Sequence, residues 1–205
     1  MSVLEQSLRG QQGVRFIAGV DEVGRGALAG PVIAAAVILP DKVELPGLDD
    51  SKRLTPRKRE ILFSQIIKSA TAYGIGSSDA SLIDDINIRR ANLLAMKEAV
   101  EALSPNPDHL LIDGVDSIDW GGYQTPVVRG DTKSLSIAAA SIIAKVTRDR
   151  IMVAFDKKYS IYGFASHKGY GTPAHIDVLT TQGPSEIHRH SFLRKILGKT
   201  IFNVA

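Results

Sequence analysis

Two apolar runs set the pattern at the start of the chain. Val14 to Asp21 contains Phe16, Ile17 and Val20, residues that favour extended structure, and Pro31 to Leu39 is a second such run. The link between them is short and rich in turn residues, which predicts antiparallel neighbours. Gly47 to Thr55 is polar and reads as a loop. Thr55-Pro56 is an N-cap followed by proline at the first helical position, so a helix is expected from there to about Ala70, with Ile61, Phe63, Ile66 and Ile67 on its apolar side. Ala72 to Ser77 is short and β-like. Ile88, Ala91, Ala95, Ala99 and Leu103 form one stripe at helical spacing, predicting a helix over Asp85–Leu103 that Ser104–Pro107 ends. His109 to Ile112 is a strand closed by Asp113-Gly114, and Thr125 to Val128 is another. Ser134 to about Tyr159 is a long helix. It opens with Ala138-Ala139-Ala140-Ser141, small enough to let a neighbouring backbone approach. Thr172-Pro173 caps a further helix that Gly183 ends, and a short helix spans Phe192 to Leu197. The order of elements predicts an α/β domain: a mixed sheet flanked by helices over about 14–160, then a C-terminal helical extension over about 161–205.

Composition narrows the chemistry. The 205 residues are 44% hydrophobic and 23% charged, the balance of a globular protein. There is no cysteine, which excludes disulfides, thiolate zinc sites and cysteine nucleophiles. Met1 to Gln12 is polar and lacks the apolar centre of a signal peptide, and no apolar run is long enough to span a membrane. A cytoplasmic protein without a membrane partner is expected. Net charge is only +3, but the basic residues cluster. One group is Lys52, Arg53, Arg57, Lys58 and Arg59. A second is Lys157, Lys158, Lys168, Arg189, Arg194, Lys195 and Lys199. Either group taken alone is what a solvated helix face would give; together they are compatible with a nucleic-acid partner.

The most informative segment is Ile17-Ala-Gly-Val-Asp21-Glu22-Val-Gly24-Arg25-Gly26. Two carboxylates at the end of an apolar strand are costly to desolvate unless a cation meets them, and a divalent metal is one such cation. Glycine lets backbone approach a ligand closely, and arginine is a preferred phosphate fork. Asp113, at the end of an apolar strand, and Asp149, on the long helix, are further candidates. Each has a plain alternative: Asp113 as a turn aspartate, Asp149 as the partner of Lys145 in an i, i+4 pair. Neighbouring strand residues point to opposite faces, so Asp21 and Glu22 can share a site only if the strand breaks there or Glu22 uses its backbone carbonyl. Asp131, in Gly130-Asp131-Thr132-Lys133, could equally cap the next helix.

These segments, in this order, resemble bacterial ribonuclease HII, the type 2 ribonuclease H. The resemblance runs from about Ile17 to Leu197. It is carried by Gly19-Val-Asp-Glu-Val-Gly-Arg-Gly26 with Ala29-Gly-Pro31, Asp50-Ser-Lys-Arg-Leu54, Leu111-Ile-Asp-Gly114, Gly130-Asp131, Ala138 through Asp149, His167-Lys-Gly-Tyr170 and His188-Arg-His-Ser-Phe192. It implies an RNase H-like fold and a nuclease dependent on Mg²⁺ or Mn²⁺, with two ions during catalysis. The implied substrates are RNA/DNA hybrids and duplex DNA carrying single ribonucleotides, cut 5′ of the ribonucleotide. Residue by residue, Asp21, Glu22, Asp113 and Asp149 match the family's catalytic, metal-binding acids. Gly24, Arg25 and Gly26 match the motif that holds the ribonucleotide and its 2′-OH. Tyr170 matches the tyrosine that packs on the sugar at the RNA–DNA junction, and Ser51 and Lys52 match a loop near the substrate phosphates. Asp131 belongs to a motif but is not assigned as a ligand. Ala27 and Gly171 stand where relatives often carry proline.

A monomer is expected. The terminal Ile201–Ala205 lacks the full pattern of a replication-clamp peptide, so a clamp contact is unsupported. His167, His188 and His190 lie in polar segments and are read as structural hydrogen-bonders. The rival readings are another nuclease of the same fold, such as a ribonuclease HIII or a junction-cleaving enzyme, and a nucleic-acid-binding protein without catalysis.

Overall fold

The computed structural model describes residues 3–10, 13–48, 51 and 54–198, apart from the side chain of Lys195. Five strands form one sheet: β1 (Ile17–Val23), β2 (Val32–Ile38), β3 (Ala72–Ser78), β4 (His109–Asp113) and β5 (Tyr123–Val127), in the order β3-β2-β1-β4-β5. β1 runs antiparallel to β2 and β2 to β3, while β1–β4 and β4–β5 are parallel. The helices are α1 (Val3–Arg9), α2 (Pro56–Ser69), α3 (Ala80–Ile86), α4 (Ile88–Glu101), α5 (Leu135–Lys158), α6 (Phe164–His167), α7 (Pro173–Gln182) and α8 (His190–Leu197).

Alternation along the strands sorts the core into two layers. Ala18, Val20, Ala34, Ala36, Leu110 and Ile112 face α4. Ile33, Ala35 and Val37 face α5 and α2. Every residue of β2 is buried, which is why its sequence is an unbroken apolar run. α5 crosses β1 at Gly19, where a Cβ would lie 2.1 Å from the carbonyl carbon of Ser136. Only glycine lets the helix backbone sit this close. A third cluster joins Leu28 and Ala29, Met152 of α5, and Tyr162, Phe164, Leu179, Leu193 and Leu197 of the C-terminal extension. The extension is thus fastened to the loop after β1.

Three expectations need correction. β1 continues two residues past Asp21, because Glu22 and Val23 still pair with Ala34 and Ile33. The helix expected over Asp85–Leu103 is two helices, α3 and α4. Asn87 stands between them at φ 68, and its side chain accepts from the amides of Arg89 and Arg90. Asparagine tolerates the left-handed region and caps well, so it ends one helix and starts the next. α1 was not expected at all. Its Glu5 is buried and accepts from the Ser136 amide and from the Ser134 and Ser136 hydroxyls at the start of α5, a partnership across the chain that no local pattern reveals.

Candidate active site

The parallel pairing of β1 with β4 sets Val20 opposite Ile112, and one residue further along lie Asp21 and Asp113. Asp21 shares a strand face with Gly19 and so looks toward α5. It is almost fully buried. The Glu22 amide donates to its Oδ1 at 2.7 Å, and the Ser141 hydroxyl of α5 also bonds it. Ser141 Oγ lies 2.8 Å from Ser51 Oγ, so the buried Ser51 stands two hydrogen bonds from Asp21. On the other side, Asp113 Oδ1 accepts from the Gly130 amide at 2.6 Å.

Burial pushes the Asp21 carboxyl well above the usual range, and the negative charges of Glu22 and Asp113 push it further; the bonds from Ser141 and the Glu22 amide oppose this only in part. Glu22 is also raised, chiefly by burial and then by Asp113, against the pull of Arg25, whose NH1 is 3.4 Å from Glu22 Oε1. Carboxylates that raise one another's proton affinity form a place where a cation would bind favourably. The donors are all hard oxygens, the set that suits Mg²⁺ or Mn²⁺. Among the described residues no three acids or imidazoles already stand at ligating separation, so the fit is one of charge and donor type.

The break that would put both adjacent side chains on one face is not there. β1 pairs regularly through Val23, which sends Glu22 to the face opposite Asp21. The turn comes one residue later, at Gly24. Its φ is +97, and a Cβ would lie 2.2 Å from Arg148 Nε. Arg25 and Gly26 are exposed, and Gly26 has open space where a side chain would be.

Two buried arginines shape this turn: Arg148, which the sequence did not single out, and Arg189, counted in the second basic cluster but withdrawn from any nucleic-acid face by its burial. Arg148 donates to the carbonyls of Pro31 at 2.8 Å, Lys168 at 2.9 Å and Ala29 at 3.1 Å. Arg189 donates to Gly30 O at 3.0 and 2.8 Å and to Arg25 O at 3.0 Å. Burial, then the charge of Arg148, pull Arg189 down to about 9, and burial lowers Arg148 as well. The Arg148 guanidinium also lies 5.3 Å from the centroid of the half-buried Tyr170 ring. The Leu28 amide bonds Gly169 O at 2.8 Å, joining the turn after β1 to the loop that carries Tyr170. Both arginines lie within the quoted motifs, but nothing local marks an arginine as buried.

Asp149 has other company. Lys145 Nζ is 2.7 Å from its Oδ1 and Arg59 is 3.9 Å from its Oδ2. Arg59 in turn donates to the carbonyls of Ser51 and Leu54. Asp149 therefore buttresses the loop that bears Ser51. Asp131 lies in a 3₁₀ turn, Gly130–Thr132, next to the amide that holds Asp113. The structure so lays the Gly130-Asp131 backbone against Asp113 and brings Asp149 into contact with Lys145 and Arg59. Lys52 lies outside the described residues. A cavity of about 660 Å³ lies between the first turn of α2, α5 and the end of α6, lined by Arg57, Arg59, Lys145, Arg150 and Lys168 together with the acids Glu60 and Asp149. His188 is buried rather than in an open polar loop, and it contacts His175, a residue the sequence did not single out.

The family described as Ribonuclease HII matches residues 18–195. A Ribonuclease HII of Geotalea uraniireducens is 56% identical over 192 residues, 93% of this chain and 89% of that one. Among solved structures, the ribonuclease H2 of Pyrococcus horikoshii OT3 aligns with a TM-score of 0.75 at 28% identity, over 89% of this chain and 97% of that one. The chain from a PCNA:RNase HII complex of Archaeoglobus fulgidus aligns with a TM-score of 0.68 at 26% identity, over 85% and 94%. No helix among the described residues is long and apolar enough to cross a membrane. Sequence and fold agree, and the chain belongs to the ribonuclease HII family.

Proposed function

We propose that this ribonuclease H hydrolyses the RNA strand of RNA/DNA hybrids and incises 5′ of single ribonucleotides embedded in duplex DNA, leaving a 3′-hydroxyl and a 5′-phosphate. The observation that carries the proposal is the juxtaposition of Asp21 and Asp113 on parallel strands, with Glu22 adding to the negative charge that raises Asp21. Asp21 and Asp113 through their carboxylates, and Glu22 through its backbone carbonyl, are the groups that would hold Mg²⁺ or Mn²⁺. Two such ions, when bound, stabilise charge on the attacking and leaving oxygens. Asp149 is the fourth acid by sequence. The position of Asp131 beside Gly130 and Asp113 makes it the competing candidate.

Substrate recognition follows from the chain's own groups. The turn at Gly24-Arg25-Gly26 offers uncrowded backbone to a 2′-hydroxyl, which both donates and accepts. Tyr170, backed by Arg148, offers a ring to the sugar at the junction. Ser51 and the mainly basic cavity between α2, α5 and α6 suit the flanking phosphates, a contact that is independent of sequence. The protein would act as a monomer. Residues 201–205, where a clamp contact would be sought, lie outside the described residues.

The test is cleavage of a duplex carrying one ribonucleotide, beside an all-DNA control and a uniform hybrid, with and without Mg²⁺ or Mn²⁺. Metal-dependent incision 5′ of the ribonucleotide is expected; cleavage of the hybrid alone would remove the single-ribonucleotide activity. Asp131→Asn and Asp149→Asn, assayed for metal affinity as well as cleavage, decide the fourth acid.

A further inference from the structure

The C-terminal extension buries two imidazoles that the proposed chemistry leaves unused. His175, in the first turn of α7, and His188, two residues before α8, are 0% and 1% exposed. Their Nε2 atoms lie 3.0 Å apart. Such a bond needs one nitrogen protonated and the other bare, and the outer contacts decide which. His175 Nδ1 lies 3.0 Å from the carbonyl oxygen of Tyr170, which can only accept. His175 therefore carries its proton on Nδ1, and its Nε2 is bare. His188 Nδ1 lies 2.9 Å from the Ser185 amide, which can only donate. His188 is therefore bare at Nδ1 and donates from Nε2. The result is a directional chain from the Ser185 N–H through His188 and His175 to the Tyr170 carbonyl. It exists in this form only while both rings are neutral. A proton on His175 would set two N–H groups against each other at Nε2; a proton on His188 would face the Ser185 amide at Nδ1 and require the Ser185 hydroxyl, 2.8 Å away, to turn its oxygen to it.

The chain ends at a residue that contacts matter for. The Tyr170 carbonyl also accepts from the Thr172 amide, and the Tyr170 amide donates to His167 O. The segment bearing His188 is stitched to the turn after β1, through Gly30 N to Ile187 O at 2.8 Å and Arg189 N to Leu28 O at 2.9 Å. The imidazole pair thus spans the two loops assigned to recognition. The titratable and charged groups around it are His167 of α6, stacked on His175 at 4.3 Å, Tyr162 with its ring 4.8 Å from His188, and Arg189 and His190 beside His188. Burial, followed by His175, holds His188 down to about 4, and burial also lowers His175.

We propose that His175 and His188 are positioning residues for junction recognition, their hydrogen-bond chain fixing Tyr170 against the Gly24-Arg25-Gly26 turn. The proposal rests on the reading of Tyr170 as a substrate contact. His188→Gln keeps an N–H donor near the place of Nε2, whereas His188→Met keeps the length without the donor. Both are assayed for kcat and KM on a single-ribonucleotide duplex and on a uniform hybrid, beside Tyr170→Ala. For His188→Met the ratio of the two kcat/KM values, single ribonucleotide over hybrid, falls about tenfold, the worth of one lost buried hydrogen bond, and His188→Gln recovers most of it. An unchanged ratio in His188→Met, or no recovery in His188→Gln, overturns the proposal. If Tyr170→Ala leaves the ratio unchanged, the reading of Tyr170 fails instead, whatever the histidine variants do. Should His188→Met not fold, ¹⁵N spectra of the unaltered protein serve. They are expected to show His175 protonated at Nδ1 and His188 at Nε2, with the Tyr170 and Gly171 amides shifting at the imidazoles' own midpoint on acidification. The opposite tautomers, or amides that shift independently, would refute the chain.

Discussion

Two neighbouring regions of this protein hold buried charge of opposite sign, and in neither is the charge matched. At the strand ends, Asp21, Glu22 and Asp113 press on one another, with Arg25 drawing on Glu22. One turn away, Arg148 and Arg189 bury their guanidinium groups among neutral carbonyls of residues 25–31 and Lys168. The acids, held by the Glu22 and Gly130 amides and by Ser141, still raise one another's proton affinity, so a divalent cation would bind there favourably. The arginines are fully served with acceptors and hold backbone in place. The difference teaches which buried charges are built to bind and which to brace: the first kind is left electrostatically short, the second is saturated by hydrogen bonds.

The largest test of that contrast is Asp113→Asn. Cleavage should fall by roughly a thousandfold or more while duplex binding without metal is kept. The same change should raise the unfolding temperature of the metal-free protein, because it removes a repulsion. A drop in stability would make Asp113 a brace like the arginines. The sign in pH follows from the raised Asp21 and Glu22 carboxyls. The folded state holds protons that the unfolded state has released, so the metal-free protein loses stability as pH rises from the ordinary carboxylate range through the raised values. Adding Mg²⁺ at neutral pH should restore it.

Arg148→Met tests the other side. It leaves the carbonyls of Ala29, Pro31 and Lys168 without a donor, and a loss of about 3 kcal/mol is expected in denaturant unfolding. The loss should be independent of Mg²⁺. A metal-dependent loss would mean that the arginine belongs to the ion site.

The His175–His188 pair predicts an acid limb of its own. His188 is neutral in the fold, its value held to about 4 against an ordinary 6.5, so its contribution is full above 6.5 and is lost as pH falls toward 4. Thermal unfolding of the unaltered protein and of His188→Gln over that window separates this limb from the opposite slope of the carboxylates. Smallest of all, Arg57→Ala should flatten the salt dependence of hybrid binding by about one unit of slope if the cavity wall meets one phosphate. An unchanged slope would exclude Arg57 from the contact.

The sequence alone determined the strands and most helices, because hydrophobic period, caps and glycine stops are local properties. Thr55-Pro56 starts α2 and Thr172-Pro173 starts α7, and Asp113 closes β4, where their residue types say they should. It also brought forward Asp21, Glu22 and Asp113, since acids ending apolar strands break the pattern around them. It could not decide what depends on partners far along the chain. Only the tertiary structure joined Glu5 to the start of α5, added Arg59 to the Lys145–Asp149 pair that helical spacing already offered, and laid the Gly130 amide against Asp113. It alone buried Arg148, Arg189 and His188, residues whose polarity reads as surface. A polar side chain goes inside when distant backbone groups satisfy it, and that match exists only once the chain has folded.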